Sequence, residues 1–125
     1  RSRMTSDAVF EKGMAFVQSL GKRPLRINHD IPGFVLNRVF AAAFKESLEL
    51  VASGAASVEH IDVGMRLGYG WGAGPFEIAD NAGIDTILNV CRSMRSLGES
   101  HLVPDTGVLE KMVRRNRRNP GLSSP

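Results

Sequence analysis

The stretch Asp30-Ile31-Pro32-Gly33-Phe34-Val35-Leu36-Asn37-Arg38 decides how this chain folds. It reads as a tight turn that opens straight into a long helix. Pro32 fixes its own φ and biases Ile31 toward an extended conformation. Gly33 permits a φ that other residues resist, or a close approach by another backbone. Asp30 can accept backbone hydrogen bonds in the turn. From about Phe34 the residues Val35, Leu36, Val39, Phe40, Ala43, Phe44, Leu48 and Val51 recur at three- and four-residue steps. That spacing predicts one wide apolar face on a helix running to about Ala52. Asn37 lies off the centre of the face, in the first turn. There the unpaired N–H groups and the helix dipole favour a ligand with partial negative charge. Taken alone, an Asn in a first turn is more often a turn or capping residue than a functional one.

Outward toward the N-terminus, Thr5, Ser6 and Asp7 are N-cap candidates for a helix whose apolar positions are Val9, Phe10, Gly13, Met14, Val17 and Leu20, with Phe16 at the edge. Gly21 suits the position just past its end. Leu25 and Ile27 alternate with Pro24 and Arg26, the pattern of one short strand or extended segment. One strand cannot form a sheet and exposes its backbone unless paired. The opening helix–strand pair therefore reads as the last piece of another domain.

Outward toward the C-terminus, Ser53 and Gly54 end the central helix. Ser57 caps the next, which carries Glu59 and Asp62 near its start, turns Ile61, Met65 and Leu67 inward, and stops at Gly68. The run Gly68-Tyr69-Gly70-Trp71-Gly72-Ala73-Gly74-Pro75 disfavours regular structure. It reads as a connection whose Trp71 plugs the core, or as a loop wrapped around a ligand. It is neither a dinucleotide fingerprint, since no strand precedes it, nor a P-loop. Pro75 starts a short helix, Phe76 to Ala82. Glu77 and Asp80 share one face of it and read as two solvated acids rather than an acid–base pair. Gly83 breaks that helix. Asp85 caps the next, with Ile87, Leu88, Val90, Cys91 and Met94 inward, ending near Gly98. A loop over Glu99 to Pro104 leads to a last helix from about Asp105 to Arg118, and 119–125 reads as a disordered end.

The chain has 125 residues, 42% hydrophobic and 23% charged, which suits one soluble globular domain with a modest core. No apolar run approaches the roughly 20 residues of a membrane span. The net charge of +3 comes from the C-terminal end: removing Lys111, Arg114, Arg115, Arg117 and Arg118 from 16 basic residues leaves 11 against 13 acidic ones. The body is slightly acidic, which argues against a nucleic-acid binder. Cys91 is the one cysteine, so no internal disulfide forms and a reducing compartment is favoured. Its apolar setting marks a packed thiol rather than a nucleophile. His29, His60 and His101 are too far apart for metal-ligand spacing, so no metal site is expected.

Four motifs in this order carry a resemblance. Gly21-Lys22-Arg23-Pro24, the Pro-Gly-Phe-x-x-Asn-Arg turn over 32–38, Ser57-Val58-Glu59-His60-Ile61-Asp62, and Gly74-Pro75-Phe76-Glu77-Ile78-Ala79-Asp80 together resemble the C-terminal half of the L-3-hydroxyacyl-CoA dehydrogenases. Gly83-Ile84-Asp85-Thr86 continues the likeness, which covers about Thr5 to Val113. The resemblance implies an all-α domain of five or six helices, like the C-terminal domain of 6-phosphogluconate dehydrogenase. Residues 1–28 would be the tail of a truncated Rossmann-type domain, and 29–118 the helical part that closes over acyl-CoA and forms a homodimer. NAD and the catalytic His–Glu pair belong to the absent half, so this chain alone should not turn over substrate. Asn37 matches the family's active-site Asn and is the catalytic residue the resemblance assigns here. Gly-Pro-Phe-Glu-Ile-Ala-Asp reads as structural support. The basic run that usually ends the family is replaced by Asn116-Arg117-Arg118-Asn119-Pro120-Gly121. A cytoplasmic location is expected. The alternative is a non-catalytic helical dimerisation module.

Overall fold

The computed structural model describes residues 2–107 and 109–111. All regular structure among them is helical: α1 (Asp7–Ser19), α2 (Phe34–Ala52), α3 (Val58–Tyr69), α4 (Pro75–Ala82), α5 (Ile84–Ser96) and a 3₁₀ turn (Ser100–Leu102). Residues 106–107 and 109–111 are helical as well. Most of the helix expected over 105–118, its basic residues and the end at 119–125 lie outside the described residues. The chain divides into two compact units, one up to Val35 and one from Leu36 onward.

In the first unit, Ser6 is the N-cap of α1, and its hydroxyl accepts from the Val9 N–H at 3.3 Å. Gly21 closes the helix with φ 69°, while the Lys22 N–H reaches the Val17 carbonyl at 3.3 Å in a Schellman closure. No residue of α1 is buried, and Val9, Phe16 and Leu20 of its apolar stripe are about 60% exposed. Of the strand or extended segment expected around Leu25 and Ile27, the strand is absent: residues 22–27 form neither helix nor strand. No second strand exists among the described residues to accept its hydrogen bonds. Arg26 ties the segment back to α1 instead, pairing with Glu11 at 2.8 Å and lying 5.0 Å over the Phe10 ring.

The second unit holds the core. Phe44 and Leu48 of α2, Phe76 and Ala79 of α4, Leu88, Cys91 and Met94 of α5, Val103 and Leu109 are all buried. The Phe44 and Phe76 rings meet edge to face at 5.6 Å, and Phe40 stacks on Phe44 at 5.7 Å. The 3.6-residue period of α2 is as expected, but only part of its stripe is covered. Leu36 and Val39 are 65% and 59% exposed. On α5, Val90 also differs from expectation: it is 46% exposed, because it faces an open groove rather than the core.

Two helix ends shift from their expected places, and one expected loop is partly helical. α3 runs through Gly68 to Tyr69 and is closed by Gly70 in the left-handed conformation. Gly83, rather than Asp85, stands at the N-cap of α5 and also ends α4, so one residue serves both helices and leaves Asp85 inside the first turn. The expected loop over 99–104 contains the 3₁₀ turn.

Candidate functional site

The site begins with the backbone before α2. The Phe34 N–H donates to the Ile31 carbonyl at 3.1 Å, with Pro32 second and Gly33 third in the turn. Gly33 has φ 79°, as a type II turn requires at that place. Phe34 follows at φ 49°, the one non-glycine residue with positive φ among those described. Such a conformation costs an ordinary side chain about 1–2 kcal/mol.

Asn37 is the fourth residue of α2 and is exposed. Its side chain makes no hydrogen bond to another described residue. Its side chain lines a cavity of about 490 Å³. Helical geometry explains the arrangement: Asn37, Phe40, Ala41 and Phe44 follow one another at three- and four-residue steps, so one stripe of α2 forms a wall with the amide at its end. Ile78 and Ala82 of α4 and Ile87, Val90 and Cys91 of α5 line the cavity too. Leu36 and Val39 beside that stripe, and Trp71, Thr86, Val103 and Pro104, line it as well. Trp71 therefore does not plug the core, as one sequence reading had it. It is half-buried on the cavity, because the glycines on either side keep its backbone at the surface.

Two polar contacts fix the segment carrying Val103 and Pro104. Arg38 pairs with Glu99 at 3.2 Å, both side chains being largely buried. Arg95 donates to the Pro104 carbonyl at 2.6 Å. Arg38 follows Asn37 directly, so the residue beside the free amide anchors a cavity wall. Its partner lies 61 residues away, a pairing that no sequence pattern announces. Burial pushes the Cys91 thiol up against the opposing pull of Arg95, so Cys91 is an apolar protonated wall rather than a nucleophile.

A second polar cluster forms at the start of α4. Asp62 is only 6% exposed, and its carboxylate accepts from the Phe76 N–H at 2.9 Å and the Glu77 N–H at 3.2 Å. It is thus a cap supplied by α3 to the orphan donors of α4. The sequence had placed Asp62 only as a favourable charge near the start of α3. No periodic signal in the sequence marks that role, because the two N–H groups it caps lie 14 and 15 residues further on. Glu77 is not a free solvated acid either: it accepts from the Gly74 N–H at 2.7 Å and pairs with Arg66. Asp80 is exposed and carries a carboxyl raised by lost solvation and by the Asp62 charge. Asp62, Glu77 and Arg66 are thus tied up with one another's helices. His29, His60 and His101 are all exposed.

The arrangement offers one free amide donor at the end of an apolar cavity. It offers no strand and no strand-to-helix glycine turn among the described residues, so these residues do not fit a bound dinucleotide.

Residues 33–120 match the family model described as 3-hydroxyacyl-CoA dehydrogenase, C-terminal domain, and the chain belongs to that family. It is 36% identical over 118 residues to the human mitochondrial hydroxyacyl-coenzyme A dehydrogenase, covering 94% of this chain and 37% of the human protein. A 3-hydroxybutyryl-CoA dehydrogenase of Bradyrhizobium diazoefficiens is 38% identical over 90 residues, 72% of this chain and 30% of the relative. The solved (S)-3-hydroxybutyryl-CoA dehydrogenase of Ralstonia eutropha superimposes with a TM-score of 0.78 at 32% identity, covering 91% of this chain and 40% of that one. The all-helical architecture is therefore that of the family's C-terminal domain, and the chain spans 30–40% of the length of these relatives.

Proposed function

We propose that this chain is the C-terminal part of an NAD-dependent enzyme that interconverts L-3-hydroxyacyl-CoA and 3-oxoacyl-CoA, and that Asn37 is its catalytic contribution. One observation carries the reading: the Asn37 side chain, in the first turn of α2, lines an apolar cavity and has no hydrogen-bond partner among the described residues. Its side-chain N–H donates to the C3 oxygen of the substrate, where negative charge grows as the C3–H bond breaks or forms. A neutral donor already in place stabilises that charge without reorganising at the moment of reaction. It also holds C3 in one orientation. The nicotinamide, bound by the other domain of the parent, supplies the hydride acceptor. The acid–base pair belongs to that domain too.

The parent is a homodimer in this reading. Val35 and Val39 of α2 are 42% and 59% exposed, Val39 lining the cavity as well, and they supply an apolar strip for a second copy. The exposed stripe of α1 supports its origin in the Rossmann half, whose sheet would cover it. A lone free cysteine supports a reducing compartment, the cytoplasm.

The test is NADH oxidation by the full-length parent with acetoacetyl-CoA. Asn37→Ala should lower kcat roughly ten- to a hundredfold, with the dimer intact by sedimentation. Undiminished kcat would remove Asn37 from the mechanism. Absence of turnover by a folded, dimeric parent would favour the non-catalytic dimerisation module.

A further inference from the structure

We infer that Glu99 is a positioning residue for Asn37: through Arg38 it holds the first turn of α2 in place against the end of α5. The inference rests on the dehydrogenase reading above and adds to it what keeps the amide where it must stand. Packing alone does not hold that turn. Leu36 and Val39 flank Asn37 and are both more than half exposed. The α2 residues packed in or on the core begin with Phe40. A helix start held so loosely frays readily. Arg38 supplies the tie. Its guanidinium pairs with the Glu99 carboxylate at 3.2 Å, with both side chains largely buried. A charge-assisted hydrogen bond in such a place is stronger than a solvated surface pair.

Glu99 can hold a helix start because its own backbone is fixed. α5 ends in a Schellman closure, with Gly98 at φ 82°. The Gly98 N–H donates to the Arg95 carbonyl at 3.0 Å, and the Glu99 N–H donates to the Met94 carbonyl at 2.9 Å. Met94 belongs to the core. The Glu99 carbonyl in turn accepts from the Leu102 N–H at 3.1 Å across the 3₁₀ turn. A run of short, directed contacts therefore leads from the core through Glu99 and Arg38 to the residue beside Asn37. Lys45 lies seven residues past Arg38 on the same face of α2. It donates to the His101 carbonyl at 3.5 Å, so α2 meets this segment at a second point. His101 does not compete for the carboxylate. Its Nε2 lies 3.8 Å from the oxygen that Arg38 holds, beyond hydrogen-bond reach, and its side chain is exposed. The worth of a donor depends on where it stands relative to the growing charge, so a displaced amide stabilises less. Glu99 acts on the reaction through that placement.

The experiment is a double-mutant cycle in the full-length parent with acetoacetyl-CoA and NADH, with kcat and KM read separately. Glu99→Gln keeps the size of the side chain and one acceptor oxygen and removes the charge. It should lower kcat about three- to tenfold. KM should stay within about twofold, because the donor acts on charge that grows only in the transition state. In an Asn37→Ala background the same change should lower kcat by less than about twofold, since the amide it positions is gone. Glu99→Asp keeps the charge and withdraws it by one methylene. It should show the same dependence on Asn37, and it keeps the test open should Glu99→Gln fold poorly. His101→Gln should change neither constant. An equal loss of kcat with and without Asn37 would overturn the inference. So would an unchanged kcat in both Glu99 variants, or a loss in His101→Gln as large as that in Glu99→Gln. The dehydrogenase reading stands in those three cases. No turnover by the folded wild-type parent, or an undiminished kcat in Asn37→Ala, would remove that reading of Asn37 and the inference with it.

Discussion

Two helices of this chain begin at a proline next to a glycine, and they use the pair in opposite ways. At α4, Gly74-Pro75 is buried and every nearby polar group is engaged: Asp62 caps two N–H groups, and Glu77 takes the Gly74 N–H and Arg66. At α2, the turn at Pro32-Gly33 bends the chain through positive φ at Gly33 and Phe34 and leaves the Asn37 side chain exposed, with no partner among the described residues. A helix start has orphan donors in either case. When a buried side chain from elsewhere satisfies them, the start becomes a structural joint. When the nearest amide stays free beside an apolar cavity, it is available to a ligand. The difference lies in a residue outside the motif, Asp62, and not in the proline and glycine.

The comparison breaks first at Gly74. A Cβ there overlaps Cα, Cβ and Oδ1 of Asp62, so α3 and α4 must separate. Gly74→Ala should cost about 3 kcal/mol or more, read as a fall in unfolding midpoint in denaturant. Asp62→Ala comes next. It leaves the Phe76 and Glu77 donors unsatisfied in a buried place, at about 2–3 kcal/mol. Should Asp62→Ala leave the midpoint in place, the α4 start is no joint and the contrast with α2 fails. Gly33→Ala sharpens the comparison from the other side. An alanine at φ 79° costs about 1 kcal/mol in backbone strain, less than either change at α4.

The sequence made much of this legible. The four helices from α2 to α5 follow from apolar steps of three and four residues, and their breaks from glycines that stand where they were expected, give or take two residues. Asn37 was picked out by the Pro-Gly-Phe turn and the family resemblance together. What stayed hidden depends on distance in the chain. The Asp62 cap spans 14 residues to Phe76 and the Arg38–Glu99 pair 61, and neither leaves a periodic trace. The fates of Trp71 and Val90 were misread for a related reason. Periodicity tells which residues share a face, but not whether another element covers it, and here the covering helices leave a cavity. The strand around Leu25 failed because a strand is defined by its partner.

The smallest effect concerns charge. Lost solvation, and then the Asp62 carboxylate, raise the Asp80 carboxyl above its ordinary value of 3.8. The protonated form is thus favoured by folding. The stability this confers is fully present below the unfolded pKa and is lost as pH rises through the folded pKa. Asp80→Asn should therefore raise the unfolding midpoint slightly at pH 7, where the wild-type charge repels Asp62, and leave it unchanged near pH 3, where the wild-type carboxyl is neutral. The same substitution in an Asp62→Asn background removes the repelling partner, so the gain should shrink. A gain of equal size with and without the Asp62 charge would assign it to solvation alone. Asp62 would then act on α4 only through its two hydrogen bonds, and the joint at α4 would hold no electrostatic conflict that α2 lacks.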